Sequence, residues 1–268
     1  MELEGKRLLV SGATGGLGRA IADQLASHGA RLVLSSRRED ELGDVARNLP
    51  GGTDRHAVLV ADLADDGAAQ RVVHDAGDLD GLVANAALPG VGSIEKVAAE
   101  ELTRTLRVNL EAPMLMAREL VPSLMEKGEG HLVFISSLNG KVGTPRTAIY
   151  CATKFGMRGF ALALREDLQP KGVGVSTVLP GFIREAGMFH DSGVKSPPGL
   201  GTTSPEKVGK AVVSAITRNR SEVEPATLRL RLASGLAYRH PEFAARIQRR
   251  GGAEKIAEDL VAGHAGKR

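Results

Sequence analysis

Tyr150 and Lys154 stand four residues apart in Tyr150-Cys151-Ala152-Thr153-Lys154, inside an apolar pattern of helical period, so both side chains project from one helix face. A phenol beside an ammonium makes a proton-transfer pair. A free phenol titrates near ~10, poorly matched to neutral pH, and a nearby cation favours phenolate and lowers that value. Such a group suits delivery of a proton to an oxygen on which negative charge develops, as when hydride attacks a carbonyl. The same spacing also arises by chance in surface pairs, so it gains meaning only from its company. Cys151, between the two, has no identifiable base and reads as a small buried residue, not a nucleophile.

A second chemical signal lies near the start. Ser11-Gly12-Ala13-Thr14-Gly15-Gly16-Leu17-Gly18 directly follows an apolar run and opens a helical pattern. Glycines there permit tight turns and let backbone N–H groups at a helix start approach a pyrophosphate. Gly12, Thr14, Gly15, Gly16, Leu17 and Gly18 are the candidate contacts. The spacing reads as GxxxGxG through Gly12, Gly16 and Gly18 or as GxxGxxG through Gly12, Gly15 and Gly18, the second pointing toward longer sugar-nucleotide epimerases. Glycines alone leave the two open. The next apolar run ends Ser35-Ser36-Arg37-Arg38 with no acid until Glu39. An acid there would hold a ribose hydroxyl, whereas the rigid donor fork of Arg37, with small Ser36 beside it, suits a phosphate, so NADP(H) is expected over NAD(H).

These groups need elements to position them. Short β-type runs at 7–10, 31–35, 57–61, 81–85, 131–136, 173–179 and 221–223 alternate with helical patterns at 17–28, 39–48, 66–76, 100–126, 147–168 and 205–217. Runs such as Leu132-Val133-Phe134-Ile135 are continuously apolar, as strands buried on both faces require. The pattern predicts an α/β fold, a doubly wound Rossmann arrangement with a parallel sheet of about seven strands and helices on both faces. Pro113 and Pro122 fall inside the fourth helical stretch, which is expected to kink or break there. Residues 184–204, rich in glycine and proline and carrying Met188, Phe189, Val194 and Leu200, read as a substrate lid with apolar walls.

Over roughly its first 185 residues the chain resembles the short-chain dehydrogenase/reductase family. Ser11 replaces the Thr that usually opens that family's glycine motif. The resemblance implies that Asp62 and Leu63 meet the adenine and that Asn85 and Ala86 line the cofactor. Ala84-Asn85-Ala86-Ala87 stands where the family carries NNAG, with alanine at both ends. Asp62 could instead cap the next helix, and Asn85 could knit strand ends through its amide. The resemblance further implies a catalytic set of Asn109, Ser137, Tyr150 and Lys154, with Ser137 thirteen residues before Tyr150 and its neighbour Ser136 the weaker candidate for that place. In it Tyr150 transfers the proton, Ser137 holds the substrate oxygen, Lys154 tunes the phenol and binds the nicotinamide ribose, and Asn109 supports a water chain to Lys154. Tyr150, Lys154, Pro180, Gly181 and Ile183 would adjoin the nicotinamide, while Glu185 replaces a hydroxyl residue expected nearby. The implied activity is reversible hydride transfer between a nicotinamide and a carbonyl or alcohol, and the apolar residues of the expected lid favour a hydrophobic ketone. An NADP-binding sensor without chemistry, or an epimerase, are the rival readings.

Bulk properties narrow the partners. Thirty-five Lys and Arg against 32 acids form no phosphate-tracking stripe, so nucleic acid is not expected. One cysteine and no paired-histidine spacing leave no case for a disulfide or a metal, and a cytoplasmic location fits. No apolar stretch reaches the roughly 18 residues of a membrane span. The expected organisation is a Rossmann domain at 1–225 followed by a basic helical extension at 226–268 that packs on it, and the expected assembly is a homodimer or homotetramer. That extension holds nine Lys/Arg and four Asp/Glu and could otherwise face a subunit, a membrane surface or water.

Overall fold

Seven strands form one parallel sheet in the order β3-β2-β1-β4-β5-β6-β7: β1 (Arg7–Ser11), β2 (Arg31–Ser36), β3 (Ala57–Val60), β4 (Gly81–Ala84), β5 (Gly130–Ile135), β6 (Val173–Val178) and β7 (Glu222–Val223). The computed structural model describes residues 1–186, 190, 193, 199–250 and 253–264. The order reverses between β1 and β4, which opens a crevice at their carboxyl ends. Both the Gly12 turn and Asn85 lie at that crevice.

The continuously apolar strands divide their side chains between two core layers. Leu8, Val10, Val133 and Ile135 face one side with Ile21 and Leu25 of α1 (Gly16–Ser27), Leu42 of α2 (Glu39–Asn48) and Val212 of α8 (Pro205–Thr217). A single-turn helix α3 (Gly52–Arg55) follows α2. Leu9, Leu132 and Phe134 face the other side with Val72 of α4 (Ala68–Ala76), Met116 and Leu120 of α6 (Ala112–Lys127) and Met157 of α7 (Ala148–Leu168). Period-two alternation of apolar residues on both faces is what a strand sandwiched between helices requires. The doubly wound expectation therefore matches the structure.

The break expected at Pro113 does not occur. Helix α5 (Ala99–Leu106) continues through a wider π turn at Arg107–Glu111 into α6, with the Ala112 N–H on the Arg107 carbonyl. Pro113 sits in the first turn of α6, where its missing N–H and fixed φ are tolerated, and Pro122 is accommodated farther along. At the ends of the expected lid, Ile183 bridges Thr203 in parallel register, the Arg184 N–H donating to the Thr203 carbonyl at 3.0 Å and the Thr203 N–H to the Phe182 carbonyl at 2.8 Å. Met188, Phe189 and Val194 of that expectation lie outside the described residues. The tail forms three helices, α9 (Leu228–Arg239), α10 (Pro241–Arg250) and α11 (Ala253–His264). Among the described residues no helix is long and apolar enough to cross a membrane.

One buried polar contact links β5 to β6: the ring of His131 hydrogen-bonds through Nε2 to Ser176 Oγ at 2.8 Å. Burial, reinforced by the Arg165 cation, lowers His131 from 6.5 to about 3. The folded value lies below the unfolded one, so the unfolded chain binds the extra proton and stability falls as pH drops below 6.5 toward about 3. Between about pH 7.5 and about pH 5 this site is expected to cost on the order of 2 kcal/mol. Thermal unfolding at the two pH values checks it: the loss should shrink in His131→Gln, and an equal loss in that variant would place the acid sensitivity elsewhere.

Candidate active site

The end of β5 fixes the first group of side chains. Ser136 Oγ donates to the Lys154 carbonyl at 2.9 Å and ties β5 to α7, and Gly140 packs into that junction, where a Cβ would lie 2.7 Å from Ser136 Oγ and 2.8 Å from the Lys154 carbonyl oxygen. Ser136 is thus a scaffold residue. Ser137 caps the 3-10 turn Leu138–Gly140, its Oγ accepting from the Asn139 N–H, and it lies near enough to Tyr150 to favour loss of the phenol proton. Lys154, 3% exposed, donates from Nζ to the Ile135 carbonyl at 2.9 Å and lies 5.5 Å from the centre of the Tyr150 ring.

Asn109 stands on the π turn, 1% exposed. Its Oδ1 accepts from the Leu88 N–H at 2.6 Å and its Nδ2 donates to the Leu88 carbonyl at 2.9 Å and, at 3.4 Å, to Thr153 Oγ1. The side chain is therefore committed to the chain beyond β4. Pro113, four residues on, has no N–H to give the Asn109 carbonyl, the usual helical bond at that spacing. Tyr150 reaches the same loop, its N–H donating to the Gly90 carbonyl at 3.3 Å.

Burial dominates the electrostatics. Desolvation pushes the Tyr150 phenol from 10.0 to about 12, with the Ser137 hydrogen bond acting the other way. Desolvation likewise lowers the Lys154 ammonium to about 8, which still leaves it mostly charged at neutral pH. The Lys154 Nζ is turned to the Ile135 carbonyl, and burial is the largest influence on the phenol. Cys151 is buried, with Sγ 3.2 Å from Thr147 Oγ1 and 3.4 Å from Asn139 Nδ2, in keeping with a packing role.

A second group surrounds the crevice between β1 and β4. Ser11 Oγ accepts from the Asn85 and Ala86 N–H groups at 3.1 and 3.2 Å, and Asn85 Nδ2 donates to the Ser11 and Gly12 carbonyls at 3.2 and 3.1 Å. Asn85 therefore does knit strand ends. Gly12 has φ +67°, and a Cβ there would meet Ala86 Cα at 2.8 Å, while a Cβ on Gly18 would lie 2.1 Å from the Gly12 oxygen. Gly15 is different, since a Cβ there would meet only the Gly12 oxygen, at 3.5 Å. Helix α1 begins just beyond it with no capping side chain and no acid in its first turn. Open N–H groups, positive dipole and space fit a dinucleotide pyrophosphate. Leu17, packed partly into the core beside this turn, and Gly16 at the helix start complete it.

Thr14 Oγ1 and Ser36 Oγ are 2.7 Å apart, which joins the turn to the end of β2. Arg37 faces Asp62 at 3.6 Å, and Asp62 also pairs with Arg104 at 2.8 Å. Its other oxygen accepts from the Ala64 N–H at 2.9 Å, a local turn; the cap of α4 is Gly67, so Asp62 caps no helix. Partial burial opposes ionisation of Asp62, but the Ala64 amide with Arg104 and Arg37 holds its carboxyl below the ordinary range. Leu63 is buried in the layer that contains Val72 and Met116.

Pro180 joins the first group, its carbonyl accepting from the Leu138 N–H at 3.0 Å. Gly181 lies under Leu230, where a Cβ would meet Leu230 Cδ2 at 2.6 Å, and Ile183 is buried. Glu185, with φ 73°, pairs with Arg184 at 2.7 Å.

Three arginines escaped the sequence reading. Arg38 donates to Thr14 Oγ1 at 3.0 Å and Arg19 Nε to the Thr14 carbonyl at 3.0 Å, and both pair with Glu41, so the cationic cluster beside Ser36 exceeds Arg37 alone. Arg146, φ 57°, donates to Ser93 Oγ and to Glu258 of α11, the latter at 2.8 Å, and so ties the loop before Tyr150 to the tail. No local pattern marks Arg146, whose partners lie 53 and 112 residues away.

Residues 6–195 match the family described as short chain dehydrogenase. The ketoacyl reductase HetN of Nostoc sp. is 33% identical over 225 residues, covering 82% of this chain and 78% of that protein. The 3-oxoacyl-[acyl-carrier-protein] reductase FabG of Rickettsia conorii is 32% identical over 184 residues, covering 69% of this chain and 75% of that one. Among solved structures, a metagenomic short-chain oxidoreductase in complex with NADP is similar with a TM-score of 0.70 at 30% identity, covering 85% of this chain and 100% of that one.

Gly18→Ala should force the Gly12 turn away from α1, since backbone atoms leave its Cβ no room. A loss of about 1–3 kcal/mol in thermal unfolding is expected, with weaker dinucleotide binding by fluorescence titration. Wild-type stability and binding in the variant would contradict the close approach.

Proposed function

Because this chain belongs to the short-chain dehydrogenase/reductase family, and so is an NAD(P)-dependent oxidoreductase acting at CH–OH and carbonyl groups, we propose that Tyr150 carries its proton transfer within the set Asn109, Ser137, Tyr150 and Lys154. The observation that carries this reading is that Lys154, buried and donating to the Ile135 carbonyl, holds its ammonium 5.5 Å from the centre of the Tyr150 ring, with Ser137 near enough to act on the phenol. When bound, the nicotinamide supplies or accepts the hydride. In reduction, the carbonyl oxygen of the substrate accepts hydrogen bonds from Ser137 Oγ and the Tyr150 hydroxyl, and the Tyr150 proton moves to it as charge develops. In oxidation the same phenol, having lost its proton, takes one from the alcohol. Lys154 holds the nicotinamide ribose and supplies positive charge, and the Asn109 carbonyl supports a water-borne path for protons to Lys154.

The pyrophosphate rests on the Gly12–Gly18 turn and the first N–H groups of α1, with Thr14, Gly15, Gly16 and Leu17 around it. Asn85 and Ala86 line the cofactor, Asp62 and Leu63 flank the adenine, and Pro180, Gly181 and Ile183 adjoin the nicotinamide. NADP(H) is the favoured cofactor: Ser36 leaves room, and Arg37 with Arg38 provides the guanidinium donors a ribose phosphate needs. A hydrophobic ketone is the favoured substrate class, because Gly181 is walled by Leu230, Ala226 and Leu138. Exposed Leu106, Met114 and Phe155 on α5, α6 and α7 suit packing against a second copy, and the single buried cysteine suits a reducing cytoplasm.

Tyr150→Phe is expected to lower turnover at least about a hundredfold while dinucleotide binding stays intact; retention of most of the turnover would remove Tyr150 from this role. With a phenol near 12, the oxidation rate should climb with pH through the neutral range while reduction does not. Arg37→Ala with Arg38→Ala should raise KM for NADPH about tenfold or more, as loss of ~1.4 kcal/mol of charge-assisted bonding would, and leave KM for NADH little changed. Equal changes for both cofactors would refute the phosphate assignment.

A further inference from the structure

Six of the large apolar side chains most open to solvent fall between Leu228 and Ile247, as many as in all the other described residues together. On α9, Leu228, Leu232 and Leu236 recur every fourth residue and are 67%, 66% and 50% exposed, while Ser234 is buried, with Leu230 and Ala237 partly covered on the opposite side. The helix thus has an apolar face turned away from the protein. On α10, Phe243 and Ile247, again four apart, are 52% and 54% exposed. Helix α9 is held in place from beneath: Leu230 covers Gly181, Thr227 caps its start and donates to the Leu200 carbonyl, and Tyr238 lies 5.4 Å from the Arg158 guanidinium. The exposed leucines are not needed for that seating.

Charge says what covers this face. Arg229, Arg231, Arg239, Arg246 and Arg249 accompany the stripe against a single acid, Glu242, although the whole chain carries a net charge of only +3. All five arginines are exposed, and no carboxylate among the described residues pairs with them. A second copy would bring one cationic face against another. Leucine, phenylalanine and isoleucine flanked by long arginine arms are what an interfacial helix presents to acyl chains and anionic headgroups.

We propose that the α9–α10 face is a docking surface for an anionic lipid bilayer, with Leu228, Leu232, Leu236, Phe243 and Ile247 entering the headgroup boundary. This requires neither the catalytic assignment nor the cofactor preference, because it is read from vesicle binding and not from turnover.

The test is sedimentation of the full chain with vesicles of phosphatidylcholine alone or mixed with phosphatidylglycerol. Expected is a partition at least about tenfold greater on the anionic vesicles, reduced by added salt and by each of two variant pairs, L232S with L236S and R239A with R246A. Turnover and the melting temperature should be unchanged in both pairs, since all four side chains point outward. Absence of binding to anionic vesicles overturns the proposal, as does equal binding to neutral ones. Binding that L232S with L236S leaves untouched would show charge attraction alone and overturns apolar docking. A lipid-free dimer that this pair dissolves would assign the face to a second copy instead.

Discussion

An ammonium taken out of water must be given partners or give up its proton, and Lys154 meets that demand at the carboxyl end of β5. Its Nζ has the Ile135 carbonyl, and its own backbone carbonyl holds Ser136. Both contacts require α7 to run close against the strand end, and the absence of a side chain at Gly140 permits it. That approach carries Tyr150 to Ser137 on one side and to Gly90 on the other. Asn109 joins through Thr153 and the Leu88 backbone. One buried charge thus sets the distance among β5, α7 and the chain beyond β4.

The second fixed point is the seam between β1 and β4. In place of the paired asparagine and terminal glycine of the resembling family, the chain has alanine at 84 and 87. Asn85 nonetheless holds the Gly12 turn by two donated bonds, and Ser11 returns two accepted ones. The hydroxyl of Ser11 does what a threonine hydroxyl would do, so that replacement alters little. The substitution at Glu185 has a different character. A left-handed backbone and a pairing with its neighbour Arg184 turn that residue to a local purpose.

Much of the fold was legible because apolar periodicity is a local record of two-sided burial. Leu8, Leu9 and Val10 announce a strand covered on both faces, and the structure divides them between the two core layers. The spacing of Tyr150 and Lys154 was equally local. Less legible was the stretch through Pro113, where a π turn absorbs a residue that helical rules read as a break. The contacts of Arg38 with Thr14, of Arg19 with Glu41, of Asp62 with Arg104, and of Arg146 with Glu258 join separate segments, and nothing in the neighbouring sequence encodes them. The burial of Tyr150 and Lys154 was illegible for a related reason: residue types carry the sign of a charge and not the amount of water removed around it.

The pairing of Ile183 with Thr203 has a consequence for how this scaffold can change. It clasps the two ends of the connection between β6, which ends at Val178, and α8. Once the ends are clasped, the free energy of closing the connection grows only with the logarithm of its length, about 0.6 kcal/mol for each doubling. Segments of different length and composition can therefore be exchanged between these two anchors with little burden on the sheet. Change in the sequence between the two anchors is in this way uncoupled from the folding of the sheet that carries Tyr150 and Lys154.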